Sequence, residues 1–207
     1  MPTDLRVKRI SAGDSLSNHI DGDLYSHGRH LAEEYRPGEI IECLTHTCDG
    51  SVVEGVSGFY TFQNVTSTQV LDNTYAEVLG SAIYYLPPPG TTRVLYSYHA
   101  GMNWLVEHAI THHKFFIDAS EVVYARHSRS GRYPEDKSIF EWVIAIGGSA
   151  NTNTGRVATW TTPKKLAMQA RAYASGANNR SFNVTNYWDG AGGAYLIQPS
   201  LKIMAIA

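Results

Sequence analysis

Between Thr91 and Met102 apolar and polar side chains alternate: Thr92, Val94, Tyr96, Tyr98, Ala100 and Met102 hold the even places, and Thr91, Arg93, Ser97 and His99 are among the odd ones. A period of two sends successive side chains to opposite faces of an extended strand, so one face is buried and the other is wet or mated. The same period returns near the C-terminus, where Ile197, Leu201, Ile203 and Ala205 share a face opposite Gln198, Ser200 and Lys202. Phe115 to Ile117 and Ile139 to Ile146 are apolar on both faces, as in central strands covered on each side or in strands at a subunit contact. These runs recur at short intervals, separated by Cys48-Asp49-Gly50, Pro87-Pro88-Pro89-Gly90, Gly147-Gly148-Ser149 and Asp189-Gly190-Ala191-Gly192-Gly193. Such clusters stop strands and set turns, and their spacing is that of an all-β sandwich.

One segment fits two patterns. Thr162-Pro163-Lys164-Lys165-Leu166-Ala167-Met168-Gln169-Ala170 offers an N-cap, a proline at the first helical position and good helix formers. Yet Leu166, Met168, Ala170 and Ala172 alternate with Lys165, Gln169 and Arg171, which is equally good strand patterning. The start of the chain differs from the rest, being polar, rich in Ser, Asp and His, and apolar only through Leu5, Ile10, Leu16, Ile20 and Leu24. It cannot form a core alone. Ser26 as an N-cap predicts a brief helix from about His27 to Tyr35, which Pro37-Gly38 would stop. The expected organisation is a short N-terminal arm, residues 1–37, followed by one sandwich domain, residues 38–207, and the full length of 207 residues suits one core plus an appendage.

Composition narrows the function classes. Charged residues are 17% of the chain against a usual value of about 25%, while 13 Tyr and 4 Trp favour pleated sheets and large buried or mated surfaces. A formal charge of −2 provides no global positive field, so nucleic acid is not an expected partner. No apolar run approaches the roughly 20 residues of a membrane-spanning helix, and membrane insertion is not expected. The opening Met1-Pro2-Thr3-Asp4-Leu5-Arg6 lacks the apolar stretch of a signal peptide, which makes synthesis in a cytoplasm the default. Cys43 and Cys48 fall at odd and even places about 16 Å apart along a strand, so free thiols are expected.

His108 and His112 stand four apart, a zinc spacing on a helix, but their surroundings read as a strand, where they lie about 13 Å apart. His19, His27 and His30 with Asp21 and Asp23 match no ligand pattern. Gly55-Val56-Ser57-Gly58-Phe59 and Gly147-Gly148-Ser149-Ala150-Asn151 miss the glycine spacing of a nucleophile elbow, and Gly190-Ala191-Gly192-Gly193-Ala194-Tyr195 misses that of a dinucleotide loop. Glu33/Glu34 and Glu135/Asp136 are consecutive and read as solvated, while the facing pair a glycosidase needs is not something sequence shows. Arg126, Arg129, Arg132 and Lys137 form a basic stretch, read as a solvated loop, with an acidic partner or anionic glycan as the sharper option. No catalytic residue, metal ligand or cofactor is therefore expected. Trp104, Trp142, Trp160 and Trp188 with the tyrosines exceed what one small core needs, and Trp104, Trp188 and Tyr195 are the candidates for sugar stacking or an interface.

From about Gly38 onward the chain resembles a family of virion structural proteins of tailed phages, especially those infecting marine cyanobacteria. The likeness rests on Ile41-Glu42-Cys43-Leu44, Gly58-Phe59-Tyr60-Thr61, Gly80-Ser81-Ala82-Ile83-Tyr84-Tyr85, Phe140-Glu141-Trp142-Val143-Ile144, Gly155-Arg156-Val157-Ala158-Thr159-Trp160, Gln169-Ala170-Arg171 and Tyr187-Trp188-Asp189-Gly190. It implies an antiparallel jelly-roll β-sandwich on a phage particle, a homo-oligomer with a trimer among the options, and a strand over Leu166 to Ala174. The expected partners are other copies of the chain, other virion proteins such as capsid or tail proteins, and a host surface glycan. Nothing in the likeness covers the arm, whose Leu5, Ile10, Ile20 and Leu24 are the expected docking residues through burial on a partner.

Overall fold

The computed structural model describes residues 25–26, 29–30, 35–104, 109–131, 135–173, 180–186, 190 and 193–207. The chain divides into two compact units, Met1–Arg36 and Pro37–Ala207. In the first, β1 (Tyr25–Ser26) and β2 (Arg29–His30) pair antiparallel. Arg29 and His30 are thus extended where a helix was expected, because a ladder that pairs Ser26 with Arg29 and a helix over the same residues exclude each other. The rest of that expected helix lies outside the described residues, as do Leu5, Ile10, Ile20 and Leu24.

The second unit is built of antiparallel strands. Its first half holds β3 (Ile40–Thr47), β4 (Val52–Gly55), β5 (Gly58–Thr61), β6 (Gln69–Leu71), β7 (Ala76–Glu77), β8 (Ile83–Tyr85) and β9 (Arg93–Trp104). Then come β10 (Ala109–Ile117), β11 (Ser120–Gly131), β12 (Glu135–Ala145), β13 (Lys164–Ala172), β14 (Arg180–Phe182), β15 (Val184–Thr185), β16 (Tyr195–Leu196) and β17 (Ser200–Ile206). One sheet runs β3-β17-β9, with β12 along the other edge of β9 and β14-β6 continuing where β17 ends. The second runs β11-β10-β13, with β8 and β7 sharing the far edge of β13. From β8 to β17 the chain therefore crosses repeatedly between sheets, and the architecture is an all-β antiparallel sandwich.

The even residues of β9 turn inward as their period predicts, and Val94, Tyr96, Tyr98, Ala100 and Met102 are all buried. Tyr96 meets Phe115 of the opposite sheet at 4.8 Å and Phe140 of its own at 5.9 Å between ring centres. Each buried phenol finds an acceptor, Tyr96 Oη donating to the Ser81 carbonyl at 2.6 Å and Tyr98 Oη to the Leu79 carbonyl at 2.8 Å. The satisfied hydroxyls let the rings stay in the core without an unpaired polar atom.

Three ambiguities resolve by burial. Lys164–Ala172 is a strand, and Leu166, Met168, Ala170 and Ala172 are all buried on one face. On a helix residues two apart diverge by about 200°, so no single helix face could bury all four. β12 pairs only with β9 among the described strands, so it is an edge strand and not a central one, and its outward Ile139 and Val143 are 47% and 51% exposed. Ile197 does not join the inward face of β17, because Pro199 breaks the ladder before Ser200 and Ile197 lies exposed on the other side. The basic stretch is likewise no loop: Arg126 and Arg129 belong to β11 and Lys137 to β12, while Arg132 lies outside the described residues.

Candidate functional site

Strand register organises the outer face of the β3-β17-β9-β12 sheet into rows. Cys43, Met204, Leu95 and Val143 are Cα partners in succession across four strands, which makes one apolar row facing outward. The next row reads Thr45, Lys202, Ser97 and Glu141, and the one after it Thr47, Ser200, His99 and Ile139. Within the polar row Ser97 Oγ donates to Glu141 Oε1 at 2.8 Å and shares a hydrogen bond of 2.9 Å with His99 Nε2. These are the residue types of a hydrolytic triad in the wrong order. Nucleophilic catalysis needs the imidazole between hydroxyl and carboxylate, whereas here the buried hydroxyl is central and ties β9 to β12.

At the far end of the same face lies a groove of about 660 Å³, bounded by Lys137 and Ile139 on β12 and by Val184, Thr185 and Ile197 opposite, with His99 and Gly101 between them. Its second wall exists because Asn183 takes a left-handed backbone conformation, φ 63°, and turns the chain out of β14 into the β15–β16 pair. Asparagine tolerates that region better than most residues, and its side chain is anchored by Nδ2 donating to the Leu79 carbonyl at 3.2 Å. Gly101 is the complementary feature: a Cβ there would stand 3.1 Å from the Val184 carbonyl oxygen and 3.2 Å from Ile197 Cδ1. Gly101→Val is accordingly expected to displace the β15–β16 pair and reshape the groove at a cost of about 1–3 kcal/mol, readable as new amide shifts for Val184 and Ile197. Unchanged shifts would show that the wall does not depend on that close approach.

The aromatic candidates separate. Tyr195 lies on β16 beside this wall, 42% exposed. Trp188 lies outside the described residues, and Trp104 ends β9 with its side chain outside them. Trp142 and Trp160 pack against the core, the indole of Trp160 donating to the Tyr85 carbonyl at 3.1 Å and that of Trp142 to the Thr154 carbonyl at 3.1 Å.

The histidines also separate. His112 lies on β10, as the strand reading requires, and His108 is outside the described residues. Its neighbour His113 points inward, 1% exposed, and stacks on His127 at 4.5 Å with 20° between the rings. His127 stacks in turn on Phe140 at 5.4 Å. Burial, reinforced by His127, Arg129 and His112, pushes the His113 imidazole down to about 3, so it is neutral at ordinary pH. Nearly parallel rings aim their nitrogen lone pairs in parallel directions, the wrong geometry for one shared metal. Among the described residues no group of three His, Cys, Asp or Glu side chains converges as a metal site would. No spacing in the sequence signals this stack, whose members lie beside a strand irregularity.

Both cysteines are free, Cys43 exposed in the apolar row and Cys48 buried. Among the described residues no helix is long and apolar enough to cross a membrane.

No family model matches the chain, and no curated protein matches it. Solved structures similar at a low level include two of infectious bursal disease virus. The Gt strain structure gives a TM-score of 0.36 at 11% identity over 91% of this chain and 43% of that one. The Gx strain structure gives 0.26 at 11% identity over 84% of this chain and 57% of that one. The chain thus spans about half the length of the chains it resembles.

Proposed function

We propose that this chain is a non-enzymatic virion structural protein whose sandwich self-associates through the outer face of the β3-β17-β9-β12 sheet. The observation that carries the reading is the apolar row Cys43, Met204, Leu95 and Val143, with Ile139 exposed two rows away on the same face. An outward apolar row on a sheet gains free energy when another surface covers it. The adjoining row holds Lys202 and Glu141, so a second copy offers this face both an apolar stripe and charges of opposite sign. The strand order β3-β17-β9-β12 against β8-β13-β10-β11 supports a jelly-roll reading, an arrangement used in capsid and lectin domains. In this proposal residues 1–37 dock the protein on the particle, and the setting is a tailed phage, as capsid decoration, neck or fibre.

Placing a charge in the row tests the proposal. Val143→Lys changes a half-exposed side chain at an edge strand, so folding should persist while light scattering shows the wild-type oligomer falling to a monomer. An oligomer of unchanged mass and stability in that variant, or a wild-type chain monomeric at high micromolar concentration, would sink the self-association reading. Deleting residues 1–37 should leave the sandwich's thermal transition intact and abolish incorporation into particles; normal incorporation would remove the docking role of the arm.

A further inference from the structure

On the opposite side of the sandwich the outer face of β11-β10-β13 carries a feature that self-association does not use. His112 of β10 stands in register between Ser128 of β11 and Arg171 of β13. Tyr75, from the segment between β6 and β7, lies over this face, with Lys114 Nζ 4.4 Å and Arg171 Cζ 5.2 Å from its ring centre. Arg126 approaches from β11, and together Tyr75, His112, His113, Arg126, His127 and Ser128 line a hollow of about 290 Å³. Tyr173, 59% exposed, meets the His112 ring edge-on at 5.7 Å.

The electrostatics of the hollow are lopsided. Among the described residues Lys114, Arg126 and Arg171 are countered by one carboxylate, Glu121, which pairs with both Lys114 and Arg126. Among the described residues Arg171 has no carboxylate partner. One of its terminal nitrogens reaches His112 Nδ1 at 3.3 Å and the other donates to the Asn73 carbonyl at 3.4 Å, both long for a guanidinium, and its buried Nε makes no hydrogen bond. A planar fork of under-used donors beside a net positive hollow is suited to a carboxylate.

We propose that this hollow binds the carboxylate-bearing ring of an acidic sugar, with Arg171 and Arg126 holding the carboxylate and Tyr75, His112 and Ser128 contacting the ring. Its size is at the lower end of small-molecule sites, enough for one six-membered ring and too small for an extended acidic peptide. Aromatic rings flanked by hydroxyl and imidazole groups supply both the apolar and the polar contacts a pyranose offers. The binding site lies on the sheet opposite the apolar row, so it stands or falls separately from self-association.

The test is calorimetric titration of the full chain at low salt with trigalacturonate, with the neutral trisaccharide cellotriose and with hexaglutamate. Trigalacturonate should bind saturably, cellotriose should not, and Arg171→Gln should weaken binding at least about tenfold. Arg126→Gln alters a more exposed side chain and should weaken it in the same direction, which keeps the test open if Arg171→Gln does not fold. Absence of saturable trigalacturonate binding, equal binding by the folded variants, or tighter binding of hexaglutamate would each overturn the proposal.

Discussion

Replacing Gly80 with alanine is expected to destabilise the sandwich by about 3 kcal/mol or more, from two independent penalties. Its backbone is left-handed, φ 88°, which alone costs an L-residue about 1–2 kcal/mol. The added Cβ would also stand 2.5 Å from Pro199 Cγ and 3.0 Å from Val65 Cγ2, inside the closest approach of packed carbons. Neither neighbour can yield cheaply. Pro199 precedes β17 and accepts the Cys48 amide through its carbonyl at 2.8 Å, and Val65 is core. Gly38 isolates the backbone part, because its φ is 86° yet nothing lies within 4 Å of its would-be Cβ. Gly38→Ala should therefore cost only about 1 kcal/mol. Denaturant titration of both variants measures the difference, and equal losses would mean that crowding at Gly80 contributes nothing.

Mild acid should weaken the fold well before carboxylates titrate. His113 is neutral in the folded sandwich and pushed down to about 3, whereas in the unfolded chain an imidazole titrates near 6.5. The unfolded state then binds more protons below pH 6.5, so stability falls as pH falls from about 6.5 and continues to fall until about pH 3. At roughly 1.4 kcal/mol per pH unit, moving from pH 6.5 to 5 should remove about 2 kcal/mol. His127 is depressed in the same direction by its own burial and adds to the slope. Glu121 and Asp49 are held below their usual range by hydrogen bonds, so their losses begin only at lower pH. The double variant Thr111→Val, His113→Phe replaces the imidazole and the hydroxyl it contacts at 2.7 Å, keeping an aromatic ring against His127 and Phe182. It should flatten the stability profile between pH 6.5 and 5; a profile as steep as that of the wild type would place the acid sensitivity elsewhere.

Much of this architecture was readable from local pattern. The alternation in β9 and in the body of β17 predicts both their extended form and the face they bury, because a period of two is a property of neighbouring residues. Local pattern failed where a single residue or a distant strand shifts the phase. Pro199 separates Ile197 from the face its spacing assigns it. In β11 the register jumps, His113 pairing with His127 and Phe115 with Val122, so four residues stand against Lys114 alone. That irregularity brings His127 to the same inward face as Val122, which an unbroken alternation forbids, and so creates a histidine stack that no spacing announces. The aromatic surplus was visible, but its division between core and surface was not: Trp160 is buried while Tyr195 and Tyr173 are exposed.

By itself the sequence determined an all-β sandwich and the inward faces of its long strands. Tertiary structure decided that Lys164–Ala172 is a strand, because only a sheet flanked on both edges buries Leu166, Met168, Ala170 and Ala172 together. It also decided that the apolar outward residues of β12 meet no further strand among the described residues, and that Arg126, His112 and Tyr75 share one hollow with Arg171 against the Tyr75 ring. The reason is the same in each case. Burial and charge are summed over elements that lie tens of residues apart in the chain, and their register is fixed only when the sheets close on one another.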